Sequence, residues 1–124
     1  VSEDDHISET QRLLADPHRY ASFIAFSCEN SPIGFAEAAL RHDYVNGCKT
    51  SPVLFLEGIY VVPAARRVGV ARALCSAAGQ WSSAHGCTEF ASDSQADNVC
   101  AHSLHHALGF DETERVIFFR KRLG

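Results

Sequence analysis

One segment constrains the fold more than any other: Gly58-Ile59-Tyr60-Val61-Val62-Pro63-Ala64-Ala65-Arg66-Arg67-Val68-Gly69-Val70-Ala71-Arg72. A β-branched and aromatic run meets a proline stop, a basic loop with a single glycine, and then the spacing of an amphipathic helix. Upstream, Val53 to Val62 is apolar on both alternating faces, which a strand covered on both sides requires. Downstream, Val70, Ala71, Leu74, Ala77, Ala78 and Trp81 recur at helical spacing until His85-Gly86, where glycine ends the helix. A buried central strand feeding a helix that packs on it predicts a mixed α+β architecture.

The remaining elements follow from local chemistry. Ile7, Leu13 and Leu14 have the spacing of an amphipathic helix over Ile7 to Ala15, with Ser2 or Ser8 as caps and Pro17 as its end. Tyr20 to Ser27 and Ile33 to His42 flank the turn residues Glu29-Asn30-Ser31-Pro32 and predict an antiparallel hairpin. Asn46-Gly47 signals another turn, leading into the central strand. Thr88 to Ser92 predicts a short strand. Asp97-Asn98 opens a second helix whose inner stripe is Val99, Cys100, Ser103, Leu104, Ala107 and Leu108, stopped by Gly109. Arg115 to Lys121 predicts a closing strand. With 124 residues, 46% of them hydrophobic and 21% charged, the chain is expected to form one domain over 1–124.

Charge and cysteine usage exclude several functions. A formal net charge of −4 argues against a sequence-independent nucleic-acid binder and suits a cationic partner. No apolar run is long enough to cross a bilayer, and the acidic opening Ser2-Glu3-Asp4-Asp5 is unlike a signal peptide, so a cytoplasmic location is expected. Cys28, Cys48, Cys75, Cys87 and Cys100 are odd in number and contain no C-x-x-C pair, which suggests small buried apolar residues in a reducing compartment. His102 and His106 share a helical face, but the glutamate of H-E-x-x-H and a third ligand are missing, so no metal is expected.

The basic loop has the makings of an anion site. The first amides of a helix have no intrahelical partner and carry the positive end of its dipole. Gly69 allows close backbone approach, and Arg66, Arg67 and Arg72 add donors shaped for phosphate. Arg66, Gly69 and Ala71 fill the three defining positions of R/Q-x-x-G-x-G/A, whereas the P-loop and G-x-G-x-x-G patterns are both absent. The alternative is a strand-to-helix turn whose arginines only solvate the surface.

With its flanking strand and helix, this segment resembles the acetyl-CoA pyrophosphate loop of the GCN5-related N-acetyltransferase superfamily. Strings outside the loop, among them Asp43-Tyr44-Val45-Asn46-Gly47, Phe55-Leu56-Glu57-Gly58-Ile59, Phe90-Ala91-Ser92-Asp93 and Leu108-Gly109-Phe110-Asp111-Glu112-Thr113-Glu114, resemble the aminoglycoside 6'-N-acetyltransferases over about Tyr20 to Leu123. The resemblance implies a mostly antiparallel twisted sheet flanked by helices and splayed around an acyl-CoA cleft. It also implies a strand and a helix ahead of Ile7. The sequence starts at Val1 without a methionine, and these two elements are expected to be missing from it.

For the site, the resemblance implies acetyl-CoA contacts from Ile59, Tyr60 and Val61, from Arg66, Arg67, Val68, Gly69, Val70, Ala71 and Arg72, and from Asn98. It implies an acceptor pocket lined by Tyr44, Glu57, Asp93 and Glu114. Carboxylates suit an aminoglycoside, which carries several ammonium groups. Each candidate has a plainer reading: a buried ion pair for Glu57, a cap or turn for Asp93, a solvated turn for Glu114, packing for Tyr44, and an N-cap for Asn98. The reaction implied is direct attack of a neutral amine on the thioester in a ternary complex. Asp93, with Glu57 as second candidate, takes the proton, the Val61 amide faces the thioester oxygen, and a bulge at Gly58 makes room. Where the superfamily often has a tyrosine acid, this chain has His105, which could protonate the thiolate, contact CoA or simply sit on the helix. Rival expectations are another acceptor, such as a polyamine or a protein N-terminus, and an idle acyl-CoA-binding module. A homodimer is also implied, with Val116 to Lys121 as its edge.

Overall fold

The structure, a computed structural model, describes residues 9–16 and 19–124. Strands β1 (Glu9–Asp16), β2 (Tyr20–Phe26), β3 (Pro32–Arg41), β4 (Val53–Val61) and β5 (Phe90–Ala91) form one sheet in that order. The first four pair antiparallel in sequence order, while β5 lies parallel to β4. Helix α1 (Val70–Ser83) covers one face, and helix α2 (Val99–Ala107) follows β5. This is the mixed, mostly antiparallel sheet with helices that the sequence predicts.

Alternation builds the core. Ala21, Phe23 and Ala25 point inward from β2, and Ala36 and Ala38 do so from β3. Together with Leu54 and Leu56 they receive the α1 stripe of Val70, Leu74, Ala78 and Trp81. Phe23 and Trp81 meet edge to face at 6.2 Å. Small alanines on the strands let α1 sit close, so truncating the fully buried Leu74 to alanine should cost about 2–5 kcal/mol. On the opposite face Val45 and Cys48 close over Val53 and Phe55, which explains why the start of β4 is apolar on both sides.

Several sequence expectations are corrected. Glu9 to Ala15 of the expected first helix lie in strand β1, paired with β2, and Ile7 and Ser8 lie outside the described residues. A helix this short is marginal alone, whereas the free β2 edge offers a full ladder of backbone partners. Beyond Gly109 no regular element follows, and Ile117, Phe118 and Phe119 are 80 to 90% exposed. The expected closing strand has no neighbour among the described residues, and an unpaired strand is not stable by itself. The face of α2 is also turned. Of the expected stripe, Val99, Cys100, Ser103, Leu104 and Ala107 are exposed and Leu108 is half-buried, while Ala101, His102 and His105 are half-buried instead, because contacts from His105 and Phe110 fix the helix beside β5. None of the five cysteines is fully buried. Cys75, half-buried on α1, has its thiol pushed up to about 11 by desolvation.

Candidate functional site

The sheet splits beside β4. Pairing between β4 and β5 stops after Leu54↔Phe90 and Phe55↔Ala91, so the β4 edge beyond Phe55 has no strand on that side among the described residues. A bulge lies at the same place. Ala38 opposes Leu56 and Glu37 opposes Gly58, which leaves Glu57 as the extra residue. The sequence placed this bulge at Gly58, one position later. Its consequence is a change of parity. Before it, Leu54 donates to Glu89 and the Leu56 carbonyl faces the Ser92 hydroxyl at 3.5 Å, so even-numbered residues address the β5 side. After it, Val62 donates to Ile33 on the β3 side, so alternation turns the amides of Ile59 and Val61 to the open edge. Tyr60 faces β3, and its ring lies 6.1 Å from that of Phe35.

The loop after β4 turns sharply into α1. Pro63–Ala65 forms a 3-10 turn, and the Arg66 Nε donates to the Val61 carbonyl at 2.9 Å, tying the loop to the strand end. Arg67 is left-handed at φ 66° and Gly69 at φ 88°. A non-glycine residue held in that region signals backbone constrained for a purpose other than regular structure. Gly69 caps α1 without any side-chain bond to its amides. The first helical bond runs from Ala73 to the Gly69 carbonyl, leaving the Val70 and Ala71 amides without an acceptor inside the helix. Arg67 and Arg72 are exposed around this point, and Val68 is half-buried.

Around the β3 end of the sheet lies an open cavity of about 450 Å³, lined among others by Tyr20, Arg41, Asp43, Tyr44 and Glu57. It brings two of the four expected acceptor residues together, Glu57 from the bulge and Tyr44 from the loop after β3. Asp93 and Glu114 are outside it. Asp93 is exposed and follows Ser92, whose hydroxyl faces Leu56 beside Glu57. Glu114 is exposed and follows Thr113, which packs so tightly on Gly47 that a Cβ there would overlap it. Glu57 is not the buried acid that its strand suggested, because the bulge turns it out to solvent and Arg41 pairs with it at 3.0 Å.

At the fork of β4 and β5, His105 has both ring nitrogens engaged. Nδ1 lies 2.7 Å from the Ala101 carbonyl and so carries a proton, and Nε2 lies 2.8 Å from the Ser92 hydroxyl. Its ring also meets Phe110 edge to face at 5.4 Å. Asn98 caps α2, its Oδ1 accepting from the Ala101 amide at 3.0 Å.

Three residues in or beside the site were not singled out from sequence: Arg41, Ser92 and, on the loop that supports it, Glu89. Arg41 finds Glu57 only through the register of two strands, and Ser92 finds His105 only through the placement of α2. Glu89 accepts from the Lys49 amide at 2.9 Å and from the Thr50 amide at 2.8 Å, with the Thr50 hydroxyl as a further donor. These bonds, the hydroxyl's first, hold its carboxyl below the usual range, and none of them has a sequence signature.

Comparison with known proteins places this geometry. The sequence profile of the Acetyltransferase (GNAT) family matches residues 2–110. An aminoglycoside N(6')-acetyltransferase type 1 of Salmonella typhimurium strain LT2 is 51% identical over 120 residues, covering 97% of this chain and 81% of that protein. One from Serratia marcescens is 50% identical over 123 residues, covering 99% and 84%. The structure of AAC(6')-Iy in complex with the bisubstrate analogue CoA-S-monomethyl-acetylneamine superposes with a TM-score of 0.81 at 54% identity, over 90% of this chain and 74% of that one. A profile match over most of the chain, with half-identical relatives along nearly all of it, shows that this chain belongs to the GNAT family of acetyltransferases.

Proposed function

We propose that this chain is an aminoglycoside 6'-N-acetyltransferase, moving an acetyl group from acetyl-CoA to an amino group of the antibiotic and so conferring resistance. The observation that carries the reading is the bulge at Glu57. It joins on one strand a carboxylate facing an open polar cavity and, immediately after it, an edge with no strand beside it among the described residues, leading to a helix N-terminus without a side-chain cap. Relatives at about half identity bear that activity in their names.

The residues present fit acetyl-CoA. The Val70 and Ala71 amides, which have no acceptor inside the helix, Gly69 and the surrounding arginines suit a diphosphate. The edge amides of Ile59 and Val61 suit the amides of a pantetheine arm. When bound, acetyl-CoA supplies the thioester carbonyl that the amine attacks. Asp93 takes the proton from the incoming ammonium, directly or through water, with Glu57 orienting it or acting in its place. The Val61 amide, turned to the open edge, would donate to the oxygen on which negative charge develops. Tyr44, Glu57, Asp93 and Glu114 hold the cationic acceptor. Asn98 and His105 sit on the helix at the fork, where cofactor contacts would come from that side. His105, hydrogen-bonded to Ser92, would be the group to return a proton to the departing thiolate.

The enzyme acts as one domain in the cytoplasm, as a homodimer joined through residues 116–121. The test is thiol release from acetyl-CoA with kanamycin, with spermidine as the competing acceptor. Asp93→Asn should lower turnover by roughly 10²-fold with little change in acetyl-CoA affinity. Gly69→Glu puts a charged side chain on a left-handed position and should abolish acetyl-CoA binding. Equal activity in wild type and both variants rejects both site assignments, and preference for spermidine rejects the acceptor.

A further inference from the structure

Arg41 ends β3 and reaches into the cavity. Its Nη2 lies 3.0 Å from Glu57 Oε1, and its Cζ sits 3.6 Å from the centroid of the Phe55 ring. A carboxylate below and an aromatic face beside it are what a bound ammonium would seek, since both attract a cation. Here the protein fills the place itself. The cavity's formal charges therefore cancel, Arg19 and Arg41 against Asp43 and Glu57.

We propose that Arg41 is a built-in substitute cation that occupies the ammonium subsite made by Glu57 and Phe55, and that a polycationic acceptor binds by displacing it. This rests on the aminoglycoside reading and adds a specificity-determining residue to it. The pair is accessible, at 43% and 37% side-chain exposure, so it opens readily and a solvated guanidinium loses little on leaving. An incoming ammonium exchanges one ion pair for another and gains almost nothing by that step alone. A monoamine thus binds weakly. A polyamine sugar has further ammonium groups for Asp43 and for polar groups such as Tyr44, and these extra contacts drive the exchange. Arg41 sets a minimum number of charges on the acceptor.

The test is steady-state kinetics of the wild type, Arg41→Gln and Arg41→Lys with kanamycin and with glucosamine, a single-amine sugar, at low and high salt. Arg41→Gln leaves the cavity net negative. It should lower the KM for kanamycin by roughly three- to fivefold at low salt and lower that for glucosamine further. The KM for kanamycin should also rise more steeply with salt than in wild type, because binding then neutralises charge without releasing a guanidinium. The KM should change more than kcat, and Arg41→Lys should stay near wild type. A KM that rises in Arg41→Gln, or a KM and salt dependence that stay unchanged, overturns the assignment of Arg41 while leaving the acceptor class standing. No thiol release from wild type with any aminoglycoside overturns the acceptor class, and this proposal with it. Should Arg41→Gln not fold, wild type decides: a KM for kanamycin nearly flat in salt supports the exchange, and a steep one overturns it.

Discussion

Glu89 shows how one side chain can govern a site it does not touch. Its carboxylate gathers the Lys49 and Thr50 amides and the Thr50 hydroxyl. It thereby ties β5 to the loop that carries Tyr44 at its other end. Those donors favour the ionised form and lower its pKa, the Thr50 hydroxyl most. The linkage has one sign: a depressed carboxyl contributes stability that is present above its unfolded value of about 4.3 and is lost as pH falls through the folded value. Glu89→Gln removes the charge at every pH. The variant should raise the KM for kanamycin several-fold while leaving that for acetyl-CoA unmoved, and its melting temperature should fall less than that of wild type between about pH 5 and pH 3. Identical acid profiles in the two proteins would show that the clamp contributes nothing.

Elements set the distance between the anion loop and the open edge, and Gly34 controls it. This β3 residue faces α1, and a Cβ there would stand 3.0 Å from the Tyr60 carbonyl, 3.0 Å from Val70 Cγ1 and 3.3 Å from Leu74 Cδ1. Gly34→Val should push the first turn of α1 off the sheet, cost about 1–3 kcal/mol, and weaken acetyl-CoA binding more than aminoglycoside binding. Calorimetric titration with each ligand checks this, and equal losses for both would mean general unfolding. The same elements show what a sequence discloses. The central strand, the hairpin, α1 and the basic loop were legible because each has a local cause: alternation, turn residues, a 3.6-residue stripe, a glycine in αL. Residues 9–16 misled because two leucines fit a helix as well as a strand, and pairing with β2 decided the matter. Glu57 was read as an acid inside a buried strand. A two-against-one register is a property of β3 and β4 jointly, and neither strand encodes it alone. The turned face of α2 has the same origin, a single His105–Ser92 contact outweighing the apolar count along the helix.

At the scale of the whole molecule, Ile117, Phe118, Phe119 and Leu123 are nearly fully exposed, and Val99 and Leu104 of α2 add to the apolar surface. A soluble monomer rarely leaves so much apolar surface open. The run Val116-Ile117-Phe118-Phe119 is also β-branched and aromatic, the composition of a strand, and a strand requires a partner edge. Pairing with a second copy would satisfy both demands, and light scattering should then give a mass twice the chain's 13.6 kDa. Ile117→Asp combined with Phe119→Asp should return it to a monomer, since charged pairs on one face of the run cannot be buried without partners. A monomeric wild type, or a variant that stays dimeric, overturns the interface. The effect should reach the site by a definite route. Thr113 abuts Gly47 in the loop after β3, and Tyr44 sits on that same loop, 76% exposed. Anchoring residues 116–121 in a dimer would hold Thr113 against Gly47 and so restrict Tyr44. The monomeric variant should therefore lose affinity for kanamycin while keeping its affinity for acetyl-CoA, whose proposed contacts lie on β4, α1 and the start of α2, away from this loop.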